Sequence, residues 1–158
     1  HSSVDRGSVF EVFLPVCEGR PVKSPAAGEP RSVGAGEHIL YVDDEEAIGE
    51  AVQMIMELTG YRVTVHQRPV AALEAFKQAP HDFHMVVTDY AMPVLTGVDL
   101  ATQMREIRPD LPIVLVTGFG ADLTPESVAK AGFRRVINKP FNPGALPAVA
   151  HELLRGRE

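Results

Sequence analysis

The sequence predicts an α/β domain in which a parallel sheet is covered by helices on both faces. From His38 onwards, short apolar runs alternate with segments of helical periodicity, and this alternation occurs five times. The runs at 85–88 and 113–116 are almost continuously apolar, as expected of strands that are buried on both faces. The predicted strands cover residues 39–42, 62–65, 85–88, 113–116 and 136–137.

Apolar spacing and turn residues predict the helices. In the first helix, Ile48, Val52, Ile55 and Met56 recur at helical spacing, and Gly60 is placed to end the helix in a left-handed conformation. The predicted helices cover residues 46–58, 70–78, 97–107, 125–131 and 145–154.

Local chemistry fixes the starts of two of these helices. Residues 96–99, Thr-Gly-Val-Asp, have the form of a capping box. Pro147 cannot donate the backbone hydrogen bond that is expected one turn into a helix. The last helix is therefore expected to begin near Ala145 rather than two residues earlier.

The composition excludes several classes of protein. The 158 residues include 15 Lys and Arg against 21 Asp and Glu, a formal net charge of −6, and no basic run forms the cationic face that nucleic acid requires. Cys17 is the single cysteine and cannot form an internal disulfide. No apolar stretch approaches the roughly 20 residues that span a bilayer. We expect a cytoplasmic fragment without nucleic-acid or membrane contact, and membrane anchoring of a longer parent protein is left open.

Three segments are expected along the chain. Residues 1–15 contain a β-like stretch, 8–15, which is too short to be a domain and is interpreted as the end of a preceding one. Residues 16–37 are rich in proline and glycine and have almost no apolar periodicity, which is typical of a flexible linker. Residues 38–158 contain the α/β domain.

Polar residues follow four of the predicted strands, at the ends that meet along one edge of a parallel sheet. Asp43 and Asp44 follow the first strand, and Asp89 follows the third. Thr117 ends the fourth strand, and Lys139 follows the fifth. Three clustered carboxylates repel one another unless a cation lies among them, and hard oxygen ligands favour Mg²⁺ or the similar Mn²⁺. With a lysine and a hydroxyl beside such an ion, the set suits phosphoryl transfer.

Each acid taken alone also has an ordinary structural explanation. Asp43 and Asp44 precede a helix, where an acid is a common cap, and Asp89 can cap the loop after its strand. Glu45 and Glu46 extend the acidic start of the first helix and are expected to favour its dipole rather than to bind metal. The occurrence of these polar residues at equivalent strand ends favours one site over several coincidences.

The complete set of motifs occurs in a specific order. It consists of Asp43-Asp44, Asp89 with Met92-Pro93 and Thr96-Gly97, Thr117-Gly118, and Lys139-Pro140-Phe141. In this order the residues resemble the receiver domain of two-component response regulators, over about residues 38–154. The resemblance implies a flavodoxin-like (βα)5 fold, a doubly wound five-stranded parallel sheet with the strand order 2-1-3-4-5.

The resemblance also implies a signalling function with a conformational output. Asp89 would accept a phosphoryl group from a phosphohistidine of a partner histidine kinase or histidine phosphotransfer domain. Lys139 would pair with the phosphoryl oxygens, and Thr117 would turn towards them as the switch residue. The family often carries an aromatic residue three positions before the lysine, where this sequence has Val136. Phosphotransfer does not need that ring, but the usual coupling between the threonine and the aromatic residue is in question here.

A divalent cation site is implied in the same way. Asp44, Asp89 and the backbone carbonyl of Ala91 would bind Mg²⁺ directly, and Asp43 would act mainly through metal-bound water. One alternative is a magnesium-dependent phosphatase that forms an aspartyl phosphate, although such enzymes usually have a second acid where this sequence has Ala91. Another alternative is a phosphate-independent interaction module. Homodimerisation is left open.

The stretch at 5–15 resembles the closing strand of a histidine-kinase ATP-binding domain, in which a Gly-Ser/Thr-x-Phe stretch leads into an extended run ending in Leu-Pro. Its position before a linker and a receiver-like domain implies the C-terminal receiver of a hybrid sensor histidine kinase. The fragment has no other ATP-binding motif and is not expected to transfer phosphate from ATP. An adventitious strand unrelated to a kinase is the alternative.

Overall fold

A five-stranded parallel sheet with helices on both faces forms the main body of the chain. The computed structural model describes residues 2–3, 7–8, 34–118, 126, 128 and 131–155. The strands are β1 (His38–Val42), β2 (Arg62–His66), β3 (Met85–Asp89), β4 (Ile113–Thr117) and β5 (Arg135–Asn138). The helices are α1 (Glu46–Leu58), α2 (Pro69–Gln78), α3 (Gly97–Ile107) and α4 (Leu146–Arg155).

The strand order is 2-1-3-4-5, which confirms the predicted flavodoxin-like sheet. β1 pairs in parallel with both β2 and β3, and β4 lies between β3 and β5. The order reverses beside β1, so the carboxyl ends of β1 and β3 flank the crevice where such folds place their sites. In the described ranges, no helix combines the length and the apolar character needed to cross a membrane.

The sheet separates two apolar cores. Successive residues of a strand point to opposite faces, so Ile39 and Tyr41 of β1 pack towards α1 and α4, and Leu40 and Val42 pack towards α2 and α3. Every residue of β3 and β4 is buried, as their almost continuously apolar sequences predict. The two central strands therefore hold the residues at their carboxyl ends on a rigid base.

The helix ends follow the predicted local chemistry. Gly60 follows α1 with a φ of 92°, a left-handed conformation that suits glycine. The Thr96 hydroxyl accepts the Asp99 N–H at 3.2 Å and caps α3. At the start of the last helix, a single 3₁₀ turn, Pro143–Ala145, precedes α4. Pro147 is thus the second residue of α4, where its missing N–H costs no intrahelical bond.

The chain enters the sheet beside the end of α1. The Gly34 N–H donates to the Thr59 carbonyl at 3.0 Å, and the Gly36 N–H donates to the Gly60 carbonyl at 2.9 Å. Further upstream, two short strands, Ser2–Ser3 and Gly7–Ser8, pair antiparallel. The rest of the predicted strand at 8–15, Cys17, most of the predicted linker and most of the predicted helix at 125–131 lie outside the described residues.

Candidate functional site

An ammonium group lies among three carboxylates at the carboxyl ends of β1 and β3 and just after β5. Lys139 Nζ is 2.9 Å from Asp89 Oδ1, 3.0 Å from Asp43 Oδ2 and 3.0 Å from Glu45 Oε1. An ammonium group has three N–H donors, so each carboxylate accepts one of them. We refer to Asp43, Asp44, Asp89 and Lys139 as the rim.

The three aspartates of the rim converge closely enough to hold one metal ion. Asp43, Asp44 and Asp89 each offer a carboxylate oxygen, and these oxygens all lie within 4.8 Å of one another. Asp43 and Asp89 are buried, whereas Asp44 is exposed. Because all the ligand atoms are oxygens, the cluster is compatible with a hard divalent cation.

Asp43 is held in place by β1 and by the loop that follows it. Its Oδ2 accepts the Tyr41 hydroxyl at 3.1 Å, and its Oδ1 accepts the Glu45 N–H at 3.0 Å. Burial, and then the negative charge of Asp43, raise the pKa of the Tyr41 phenol above its ordinary value. The phenol therefore stays protonated and donates to Asp43 throughout the physiological pH range.

Asp89 is positioned by the close approach of α3. Its Oδ2 accepts the Ala91 N–H at 2.8 Å, which leaves Oδ1 for Lys139. The Gly97 N–H donates to the Tyr90 carbonyl at 3.0 Å. A Cβ atom on Gly97 would lie 3.0 Å from the Asp89 carbonyl carbon and would overlap its oxygen. The absence of a side chain at Gly97 thus allows α3 to start directly against Asp89.

Opposing effects act on the charge of Lys139. Burial lowers the pKa of its ammonium group, but hydrogen bonds to Asp89, Glu45 and Asp43 outweigh burial and raise that pKa above its ordinary value. The group is therefore a permanent cation in this site. The peptide bond between Lys139 and Pro140 is cis.

Thr117 and Val136 lie on the two strands that connect the rim to the edge of the sheet. Asp89 pairs with Val116 across β3 and β4, so Thr117 extends one residue beyond Asp89. Thr117 is buried, its carbonyl accepts the Lys139 N–H at 2.6 Å, and its hydroxyl lies 3.4 Å from the Gly118 carbonyl. Val136 pairs with Leu115 and is 39% exposed.

A mostly apolar groove of about 510 Å³ adjoins the rim. One wall is formed by α1, and the other by the segment after β5. Its lining residues are Glu45, Ala47, Ile48, Ala51, Gly118, Lys139, Pro140, Phe141 and Pro143. The groove therefore leads from the surface of α1 directly to the ammonium group of Lys139.

Comparison with known proteins identifies the family. The family model described as the response regulator receiver domain matches residues 39–151. The chain belongs to the response regulator receiver domain family. This membership confirms the resemblance drawn from the motifs and gives the chain the function of a phosphoacceptor receiver in two-component signalling. Receiver domains interact with histidine kinases or phosphotransfer proteins.

Relatives of this receiver domain occur in a sensor kinase and in single receiver proteins. The chain is 28% identical to the sensor kinase CckA of Brucella abortus over 99% of its own length, but it spans only 18% of CckA. It is 35% identical to the response regulator receiver protein CpdR of Brucella abortus, over 66% of this chain and 85% of CpdR. A CheY-like receiver structure from Methanospirillum hungatei superposes with a TM-score of 0.68 at 28% identity, over 77% of this chain and 95% of that one.

The receiver domain brings most of the sequence-predicted residues together. Asp43, Asp44, Asp89 and Lys139 form the rim, and Thr117 contacts Lys139 through its backbone. The Ala91 N–H bonds to Asp89. The group predicted at Ala91 is its backbone carbonyl, as a metal ligand, and the roles of these residues are taken up below.

Three residues at the site were not predicted from the sequence. Glu45 was expected to favour the helix dipole, yet its carboxylate makes no capping hydrogen bond and instead pairs with Lys139. Tyr41 could have been found from the alternation of β1, because it lies two residues before Asp43 on the same face. Gly97 was noted only as part of a capping box and of the Thr96-Gly97 motif. Its contact with the Asp89 backbone depends on how α3 packs, so no pattern in the neighbouring sequence predicts it.

Proposed function

We propose that Asp89 accepts a phosphoryl group from a phosphohistidine of a partner histidine kinase or histidine phosphotransfer domain. The observation that carries this proposal is the single ammonium group of Lys139, 2.9 Å from Asp89 Oδ1, beside three convergent aspartates. A carboxylate nucleophile needs little chemical activation, so positioning and charge neutralisation supply most of the catalysis.

The transfer exchanges one bond to phosphorus for another. A carboxylate oxygen of Asp89 forms the new O–P bond, and the P–N bond of the phosphohistidine breaks with its electron pair left on the imidazole nitrogen. Lys139 pairs with the phosphoryl oxygens and offsets the charge that accumulates on them. The Ala91 N–H holds the second oxygen of Asp89 and fixes the direction of the carboxylate.

Mg²⁺, or Mn²⁺ in its place, fits the oxygen ligands of the rim. Asp44, Asp89 and the backbone carbonyl of Ala91 would hold the ion, and Asp43 would act through metal-bound water. When bound, the ion supplies positive charge that draws the phosphoryl oxygens towards the rim. Tyr41 and the Glu45 N–H keep the Asp43 carboxylate turned into the site.

The output is a change in the surface around Thr117. An acyl phosphate on Asp89 adds acceptor oxygens, and Thr117 lies one residue beyond Asp89 in the pairing of β3 with β4. The Thr117 hydroxyl makes a weak contact with the Gly118 carbonyl, at 3.4 Å. We infer that this hydroxyl turns towards the phosphoryl group. Val136 provides no aromatic ring to follow it, so the change is expected to stay close to β4 rather than to involve a ring at β5.

The apolar groove beside Lys139 is where the partner is expected to dock. A partner that brings a phosphohistidine to Asp89 must contact the surface next to Lys139, and Ala47, Ala51 and Phe141 give this surface its apolar character. The groove is continuous with the rim, so a partner docked there places its imidazole beside the carboxylate.

The parent protein is proposed to be a hybrid sensor histidine kinase, with residues 1–15 ending its ATP-binding domain, 16–37 forming a linker and 38–158 forming the receiver. The similarity to the sensor kinase CckA covers 99% of this chain and so extends through the residues before the receiver. This extent supports a kinase origin for the upstream segment.

A phosphatase is disfavoured by the side chains around Asp89. Two residues after Asp89 is Ala91, which has no acid to protonate a leaving group. An acyl phosphate formed here is expected to persist long enough to signal.

The test is the intact mass of the chain after incubation with a small acyl-phosphate donor, with and without Mg²⁺. We expect one phosphoryl adduct that requires Mg²⁺ and is lost in Asp89→Asn. The matched control is Asp82→Asn, which removes an exposed carboxylate from the loop before β3. An adduct that survives in Asp89→Asn, or no adduct on a folded wild-type chain that binds Mg²⁺, contradicts the proposal.

A further inference from the structure

Glu45 is the exposed member of the three carboxylates that bind Lys139. Its side chain is 60% exposed, whereas Asp43 and Asp89 are buried, and Lys139 itself is 18% exposed. Glu45 occupies the N-cap position of α1, but its carboxylate makes no hydrogen bond to the helix and lies 3.0 Å from Lys139 Nζ. The residue therefore contacts the site instead of capping the helix.

The three donors of Lys139 are all in use before a phosphoryl group arrives. Asp43, Asp89 and Glu45 each accept one, at 2.9 to 3.0 Å. A phosphoryl group on Asp89 brings new acceptor oxygens, and Lys139 can bind them only by releasing a partner. The reaction itself releases Asp89 Oδ1, which takes up the new O–P bond. The further partner that is released at the lowest cost is Glu45, because water replaces the lost contact of an exposed carboxylate.

We propose that Glu45 is a positioning residue that competes with the phosphoryl group for Lys139 and thereby slows phosphorylation of Asp89. This inference rests on the proposed function of Asp89. Asp43 and Asp89 are sufficient to hold the ammonium group over the rim, so Glu45 contributes a competing contact rather than a necessary one. The phosphoryl group displaces it and gains the third donor of Lys139.

Three variants distinguish the contact between Glu45 and Lys139 from a general effect of negative charge near the site. Glu45→Gln removes the charge that competes for Lys139. Glu45→Asp keeps the charge but shortens the side chain by one methylene, so that it no longer reaches Lys139, and aspartate is a favourable N-cap residue. Glu46→Gln removes the same charge one residue along, where the side chain lines a separate cleft on the α2 side of α1 with His66 and Arg68.

The measurement is the initial rate of adduct formation by intact mass, with a small acyl-phosphate donor at saturating Mg²⁺. We expect Glu45→Gln and Glu45→Asp each to raise the rate about two- to fivefold, the size expected when one competing surface ion pair is removed. Glu46→Gln should stay close to the wild-type rate. Beryllofluoride, a phosphoryl mimic, should bind more tightly to both Glu45 variants by a similar factor.

Each other outcome contradicts a different claim. A wild-type rate in both Glu45 variants overturns the competition. A rise in Glu45→Gln and Glu46→Gln but not in Glu45→Asp shows charge repulsion without a role for the Lys139 contact, and it also overturns the proposal. If the wild-type chain forms no adduct at all, the proposed function of Asp89 fails, and this inference fails with it.

Discussion

The two ends of the same sheet use polar groups in opposite ways. At the carboxyl ends of the strands, the rim concentrates full charges, and one half-buried ammonium group contacts several carboxylates. At the amino ends, histidine and threonine groups pair with one another. His38 Nε2 lies 2.8 Å from the Thr64 hydroxyl, and the His38 N–H donates to His84 Nδ1 at 3.0 Å. We refer to these three residues as the amino edge.

The amino edge therefore contributes to the stability of the fold, whereas the rim contributes to its function. Each of the two contacts at the amino edge joins one donor to one acceptor, so little is gained by rearrangement there. At the rim the acids outnumber the lysine, and their repulsion makes the binding of a further cation favourable. In the proposed function a metal and a phosphoryl group bind at the rim, whereas the contacts of the amino edge involve no ligand. The following predictions test this distinction, from the largest expected effect to the smallest.

Gly97→Ala should cause the largest loss of stability. The added Cβ would overlap the Asp89 carbonyl oxygen, so α3 must move away from the rim, at a cost of about 3 kcal/mol in the free energy of unfolding. Urea unfolding measures this loss. Gly118→Ala is the matched control, because a Cβ there meets nothing within 4 Å. Equal stability of the two variants would show that α3 does not depend on this contact.

Mg²⁺ should stabilise the fold through the rim. At a concentration 100 times its Kd, the ion should raise the free energy of unfolding by about 2.7 kcal/mol. Asp44→Asn should lose most of this gain while keeping the fold, because Asp44 is exposed and its removal leaves no cavity. Thermal unfolding with and without Mg²⁺ gives the comparison, with Asp82→Asn as the control. The same Mg²⁺ effect in both variants would place the ion elsewhere.

Ala47→Gln should obstruct the partner without changing the chemistry of the rim. Ala47 is exposed at the entrance of the groove, and a longer neutral side chain fills the space without adding charge. Transfer from a phosphorylated histidine partner should slow about tenfold, equivalent to about 1.4 kcal/mol, whereas the rate with a small acyl-phosphate donor should not change. Slowing of both rates would indicate a disturbed rim instead of a blocked docking surface.

The smallest effect is expected at the amino edge as a dependence of stability on pH. Burial, and then the positive charge of Arg62, lower the pKa of His38 below its ordinary value of 6.5. The unfolded chain therefore binds the proton more readily, so the contribution of His38 to stability is complete above pH 6.5 and is lost as the pH falls below it.

His38→Gln removes this contribution. Tm measured between pH 5 and pH 8 should fall less steeply towards acid in the variant than in the wild-type chain. His81→Gln, in the exposed loop before β3, is the control and should match the wild-type slope. A His38→Gln profile parallel to the wild-type profile would show that the amino edge is indifferent to protonation.

The sequence predicted the fold because its signals are local or periodic. Continuous apolar runs marked β3 and β4, and the capping residues of α3 lie within one helical turn of one another. The convergence of Asp43, Asp89 and Lys139 was also predictable, since the carboxyl ends of parallel strands meet at one edge. For these residues, the direction of the strands alone predicts which side chains lie close together.

The rest of the site could not be predicted, because it depends on side-chain reach and packing. A glutamate at the start of a helix ordinarily stabilises the helix dipole, and nothing near Glu45 in the sequence indicates that Lys139, 94 residues later, binds its carboxylate. The fit of Gly97 against Asp89 likewise follows from the distance between α3 and β3. Such contacts are specified only when the elements pack together.

The chain enters the domain at a point far from Asp89. Gly34 and Gly36 are anchored at the end of α1, and α1 runs back from the rim for 13 residues, or about 20 Å. The segment at 34–36 therefore lies at the end of the domain opposite Asp89. A partner can approach the Asp89 carboxylate without meeting this segment.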